Sequence, residues 1–150
     1  MDKLPPIEKV YEAFSAIADR RVDMRSDHAL VNSSNGRKTY TVEWDGDRYT
    51  SNDNATYWQS YAGYPIIAVL ILQQRLPLNR ETAQWFAGID WNELNTRHKR
   101  NSAKAIAEVM EKLKNDGADI GAIETAAGTV LQAIAALPIT VKRSTLRPPK

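Results

Sequence analysis

Ile7, Val10, Phe14 and Ile17, joined by Tyr11 and Ala18, recur at helical spacing and predict an amphipathic helix to about Arg20. Pro5 and Pro6 stand just before it, where a missing N–H is tolerated. The pattern then changes to alternation. Between residues 28 and 51, Asn35-Gly36 and Asp45-Gly46 separate three alternating runs, the mark of hairpins closed by two-residue type I′ turns. Closing both sets Val31 opposite Tyr40, Ala29 opposite Val42, Val42 opposite Tyr49 and Glu43 opposite Arg48. These apolar pairs share one face with Trp44, while Leu30, Thr39, Thr41, Glu43, Arg48 and Thr50 share the other. The expectation is a three-stranded antiparallel meander with one dry face and an exposed Glu43–Arg48 pair.

Residues 52–64 read as a polar loop holding four large rings, Tyr57, Trp58, Tyr61 and Tyr64. Pro65 can open the next element, which is apolar on all sides from Ile66 to Leu72 and is therefore expected at the centre of the core. So short a β-branched run also suits a strand, but Gln73-Gln74-Arg75 and the stop at Pro77 favour a helix to about Arg75. Asn79 caps a short helix that Gly88 ends, with Trp85 and Phe86 as anchors. Asp90 and Glu93 form a capping-box variant opening a helix to about Asn115, with a break expected near Asn95-Thr96. A last helix, Asp119 to Ala136, carries Ile123, Val130, Leu131 and Ile134 among small residues such as Ala122, Ala126 and Ala133. Ile139 to Lys142 suits a short edge strand, and Arg147-Pro148-Pro149-Lys150 a disordered basic tail. The fold class is α+β: a meander over about 28–51, packed with about five helices. A single domain covers 1–138, and the edge strand and tail occupy 139–150.

Composition changes this picture little. A chain of 150 residues with 43% hydrophobic and 25% charged content suits one globular domain. The absence of Cys excludes disulfides, thiolate metal sites and thiol nucleophiles. The start, Met-Asp-Lys-Leu-Pro-Pro, lacks the apolar stretch of a signal peptide, and Pro65–Leu72 is far short of a membrane span, so the expected setting is cytoplasmic with no membrane contact. Charge is more telling. Residues 97–150 hold ten basic and five acidic side chains, whereas residues 1–64 hold eight and ten. That asymmetry hints at an anionic partner for the C-terminal third.

Candidate chemistry is sparse. His28 falls opposite Glu43 and His98 follows Leu94 by four residues; neither has companions at metal-ligand spacing. Asp45-Gly46-Asp47 with Asp53 fails the spacing of a calcium loop, and Asp45-Gly46 already has a turn to make. There is no phosphate-binding loop, dinucleotide fingerprint or nucleophile elbow, so no cofactor, metal or catalytic residue is expected. Two leads stand out. Arg97, Lys99 and Arg100, extended by Lys104 and joined by Lys142, Arg143, Arg147 and Lys150, suggest a phosphate-tracking patch. Tyr57, Trp58 and Tyr61 either stack bases or a protein partner when exposed, or lid the dry face of the meander when buried. The uncovered apolar face favours burial.

The order strand, strand, Tyr-Thr-Val-Glu-Trp-Asp-Gly, loop, Gly-Tyr-Pro-Ile-Ile-Ala-Val-Leu resembles the SWIM-type zinc-finger module over residues 31–72. That likeness sets the module's two ligand pairs at Ser51 and Asp53, and at Gly63 and Pro65, none of them Cys or His. It implies a metal-free ββα core whose aromatic loop replaces the zinc, with a binding role toward protein or DNA. The leading expectation is a non-enzymatic binding module for nucleic acid through Arg97, Lys99, Arg100, Lys104 and the rings. A protein-interaction or homo-oligomerisation module built on the Ala-rich last helix, and an enzyme whose groups meet only in space, are the alternatives.

Overall fold

The helix α3 (Tyr64–Leu72) stands at the centre of the protein, with every residue from Pro65 to Ile71 buried. A helix apolar on all sides has no face to offer water, so other elements must surround it. The computed structural model describes residues 3–150. Before α3 come α1 (Glu8–Ala18), β1 (Val22–Met24), β2 (His28–Asn32), β3 (Thr39–Asp45), β4 (Arg48–Ser51) and α2 (Asn54–Gln59). After it come α4 (Arg80–Gln84), α5 (Trp91–Arg97), α6 (Ser102–Asn115), α7 (Ile120–Ala136) and β5 (Thr140–Arg143). The class is α+β, but the sheet has five strands rather than three, in the order β1-β2-β3-β4-β5. The meander is flanked by the short antiparallel β1 and by β5, which runs parallel to β4 with Tyr49 opposite Val141.

The first hairpin has the expected register, Val31 opposite Tyr40, Ala29 opposite Val42 and His28 opposite Glu43. Its turn is not type I′. Only Gly36 is left-handed (φ 74°), and the Asn35 side-chain oxygen accepts from Ser33 Oγ (2.8 Å) and the Arg37 N–H (3.0 Å). The second hairpin departs from expectation by two residues. Trp44 lies opposite Tyr49, Glu43 opposite Thr50 and Asp45 opposite Arg48. The two turn residues are Gly46 and Asp47, with Gly46 at φ 60°, the glycine-first arrangement that also matches strand twist. A two-residue slip preserves which side each side chain faces. The dry face therefore survives, while the expected Val42–Tyr49 and Glu43–Arg48 pairs do not form. Trp44 and Tyr49 instead pack with ring centroids 6.3 Å apart.

The dry face is covered by α3, whose Tyr64 meets Tyr40 edge to face, and α1 packs in turn on α3. Ala29, Val31, Val42 and Tyr49 share one core with Val10, Phe14 and the α3 residues Ile66 and Leu70. Tyr11 of α1 stacks on Phe86 at 5.2 Å. The segment expected as loop contains α2, capped by Asp53, whose carboxylate accepts from the Thr56 N–H (3.1 Å). That carboxylate also accepts from Ser51 Oγ (2.5 Å), and Thr56 Oγ1 accepts from the Gly63 N–H (2.9 Å). The end of β4 and the starts of α2 and α3 are thus joined by buried hydrogen bonds. Gly63, the N-cap of α3, is needed for space: a Cβ there would overlap the Asp53 carboxylate.

Asn79, Asp90 and Asp119 cap α4, α5 and α7 through side-chain oxygens, as their residue types require. The expected break after α5 falls later, at His98–Asn101, where Lys99 (φ 53°) and Arg100 (φ 63°) are both left-handed and Asn101 caps α6. Beyond β5 the chain is tied back as far as Arg147, whose carbonyl accepts from Asn52 Nδ2 (3.1 Å). Among the described residues no helix is long and apolar enough to cross a membrane.

Candidate functional site

A cleft of about 300 Å³ opens where α1, the β2–β3 loop, the start of α2 and the α5–α6 corner converge. It is strongly polar. Lys9, Arg21, Lys38 and Arg100 supply four cations against Glu12 and Asp53, with Tyr40, Tyr64 and Trp91 as the aromatic wall.

Four of these charges, Lys9, Glu12, Arg21 and Asp53, have work inside the fold. Lys9 Nζ lies 3.3 Å from Glu12 Oε2. Burial opposes the Lys9 charge, but Glu12, Tyr61 and Asp53 outweigh it and hold the ammonium above its ordinary range. Arg21 Nη1 donates to the Asn32 carbonyl (2.7 Å), and its guanidinium stands 5.7 Å over the Tyr64 ring. Tyr40 and Tyr64 meet edge to face at 6.3 Å, and burial pushes both phenols upward, so both remain O–H groups at neutral pH.

The rest of the wall is less committed. Ser34 Oγ donates to Asn92 Oδ1 (3.0 Å) and accepts from the Trp91 N–H (2.9 Å), which ties the β2–β3 loop to α5. Trp91 is 5% exposed, and its indole Nε1–H is buried with no acceptor. Lys38 Nζ and the Arg100 guanidinium have no hydrogen bond or ion pair among the described residues. Two cations without a partner on a concave polar wall leave room for an anion between them. Among the described residues no group of three His, Cys, Asp or Glu is arranged to hold a metal ion.

The model of the family described as Uncharacterised conserved protein UCP014422 matches residues 2–140. The chain belongs to this family. No curated protein and no solved structure matches it.

The seven residues singled out from the sequence do not form one site. Arg97 is held by Glu93 (Nε–Oε1, 2.7 Å) and by both carboxylate oxygens of Glu108, and His98 Nε2 lies 2.9 Å from Glu108 Oε1. Lys99 and Lys104 are exposed, and of the basic run only Arg100 reaches the cleft. Tyr57 and Trp58 pair elsewhere at 4.8 Å beneath Arg143, while Tyr61 packs under Lys3. Of the four rings Tyr64 meets the dry face, edge to face with Tyr40, whereas Trp58 is 63% exposed. Sequence reasoning missed Lys9, Glu12, Arg21, Ser33, Ser34 and Lys38, which come from four separate stretches. One signal was readable: Glu12 lies among apolar residues of α1, a position where a carboxylate needs a partner, and Lys9 stands one turn before it.

Proposed function

We propose that this protein is a non-enzymatic, cytoplasmic binding module whose cleft takes an anionic ligand, one bearing a phosphate or carboxylate group. The observation that carries this reading is the pair of unpartnered cations in one cavity, the Lys38 ammonium and the Arg100 guanidinium, beside the Trp91 side chain. A bound anion would accept from both, and the committed Lys9–Glu12 and Arg21–Asn32 pairs would hold the walls. Left-handed backbone at Lys99 and Arg100 supports a constrained role for this corner, since such residues cost roughly 1–2 kcal/mol each. The likeness to a metal-free SWIM-type core belongs to the same proposal. Ser51, Asp53 and Gly63, three of the four positions the likeness assigns to ligands, meet in a hydrogen-bonded junction.

A self-association reading rests on the groove between the Pro77–Asn79 segment and α7, lined by Gly121, Ala122, Thr125 and Ala126. It predicts a dimer in sedimentation at micromolar concentration, whereas the cleft reading requires only the monomer.

The test is titration with pyrophosphate, followed through the indole N–H resonances of the four tryptophans. The Trp91 signal should move in a saturable way, and Lys38→Gln with Arg100→Gln together should abolish the shift. A Trp91 resonance indifferent to pyrophosphate and to a dicarboxylate at millimolar concentration would overturn the proposal.

A further inference from the structure

A second cationic surface is built on rings and shares none of its groups with the cleft. Helix α2 packs on β5, so that Tyr57 and Trp58 of the one meet Arg143 of the other. The rings stand 4.8 Å apart with an interplanar angle of 75°, and Arg143 Cζ lies 4.6 Å from the Tyr57 centroid and 5.7 Å from that of Trp58. Trp58, at 63% exposed, is the most exposed large apolar side chain among the described residues. Next to it Lys3 donates to the Gln59 carbonyl (2.8 Å) and stands 5.5 Å over Tyr61. Neither α2 nor β5 carries an Asp or Glu, and residues 137–150 hold Lys142, Arg143, Arg147 and Lys150 with no acid at all. Asp53, just before α2, is buried and already accepts from Ser51 and Thr56.

Indole surface left in water is costly, and here it is held in place by a perpendicular ring and a guanidinium on top. A guanidinium resting on a ring still presents N–H groups at its edge, where a phosphate can accept from them. A flat exposed ring beside uncompensated cations is the pairing that stacks a base and holds its backbone. A purely acidic partner would use the charge and leave the indole idle. A duplex would offer phosphates but hide its base faces.

We propose that the α2–β5 face binds single-stranded nucleic acid, with a base stacked on Trp58 and the flanking phosphates held by Arg143 and the Lys142–Lys150 segment. Nucleic-acid contact thereby moves away from the 97–104 run, where Arg97 is committed to Glu93 and Glu108. The proposal stands apart from the anion cleft, because none of Tyr57, Trp58, Tyr61 or Arg143 lines that cavity.

Fluorescence anisotropy of the full chain with a short labelled oligothymidylate tests it, with a duplex of equal length and poly-glutamate as competitors. Binding should be tighter than about 100 μM at low salt, the weak end of non-specific affinity. Trp58→Gln should weaken it by roughly tenfold or more, the size expected for one stacked base, and Trp58→Phe should restore most of the loss. Arg143→Gln should lower the log–log salt slope by about 0.7, the value for one single-strand phosphate contact. Lys38→Gln with Arg100→Gln, which empties the cleft of its free cations, should leave the oligonucleotide affinity unchanged. Affinity weaker than that bound, indifference to Trp58→Gln, or equal competition by the duplex or by poly-glutamate would each overturn the proposal.

Discussion

The junction at Ser51, Asp53, Thr56 and Gly63 and the corner at Glu93, Arg97, His98 and Glu108 both fasten one helix to its neighbour through a carboxylate. They differ in what surrounds that carboxylate. Asp53 is 4% exposed and accepts from a hydroxyl and a backbone N–H that have no water to turn to. Glu108 and Arg97 are both well exposed, and water and salt compete for every bond they make. The corner has the more conspicuous geometry, with a two-pronged guanidinium and an imidazole on one carboxylate. The junction matters more to stability, because breaking it strands buried donors whereas breaking the corner returns charges to solvent.

The largest effect should come from Asp53→Ala. It removes the cap of α2 and leaves the Ser51 O–H and the Thr56 N–H without acceptors, a loss of about 2–4 kcal/mol. In a chain of this size the melting temperature should fall by about 5–15 °C. A fall of only a degree or two would mean that water enters the junction and that the contrast with the corner is false.

Gly63→Ala should come close behind, since its Cβ drives the Asp53 carboxylate from its partners. The sharper measurement is the double variant. With Asp53→Ala already in place the obstructing carboxylate is gone, so adding Gly63→Ala should cost far less than it does in the native chain. Strict additivity would assign the glycine to some other constraint.

Arg97→Gln should do little. Its partners Glu93 and Glu108 are exposed, and the melting temperature should move by no more than about 3 °C, less still at high salt. A larger or salt-insensitive loss would place the corner with the junction.

The smallest effect is a pH dependence at the same corner. Hydrogen bonding from Arg97, then from His98, holds the Glu108 carboxyl down at about 2. A carboxylate whose folded pKa is depressed stabilises the fold at pH above its ordinary range, near 4.5, and that contribution is lost as pH falls toward 2. The gap in melting temperature between the native chain and Glu108→Gln should therefore be constant above about pH 5 and close between pH 4.5 and pH 2. A gap that widens on acidification would reverse the assignment.

How far such features can be read in advance depends on how local they are. The caps at Asn79 and Asp90 and the end of α7 were legible because each is decided within four residues. The dry face of the meander was legible although the second turn was misplaced, since a slip of two residues leaves the alternation untouched. Whether Asp45-Gly46 or Gly46-Asp47 occupies the turn was decided by Trp44 packing on Tyr49 and by β4 pairing with β5, contacts that a turn dipeptide does not contain. Helix α2 escaped notice because it is six residues long and has no apolar stripe; its cap at Asp53 was its only local sign.

The cleft was hardly legible. Its cations stand at positions 9, 21, 38 and 100, and nothing in their spacing brings them together. The basic run at 97–100 was conspicuous in sequence, yet Glu93 and Glu108 take up its first member and only Arg100 turns to the cavity. Arg143 and Trp58 are separated by most of the chain and meet because β5 returns to the edge of β4.

By itself the sequence determined the α+β class, the apolar central helix, the capped helix starts and the side of the sheet that is dry. Each follows from periodicity or from backbone groups that must find partners nearby. Only the tertiary structure decided which charges are answered within the fold and which remain open to a ligand. A charge's availability depends on the partners and the exposure that distant elements give it, and these are properties of the folded chain.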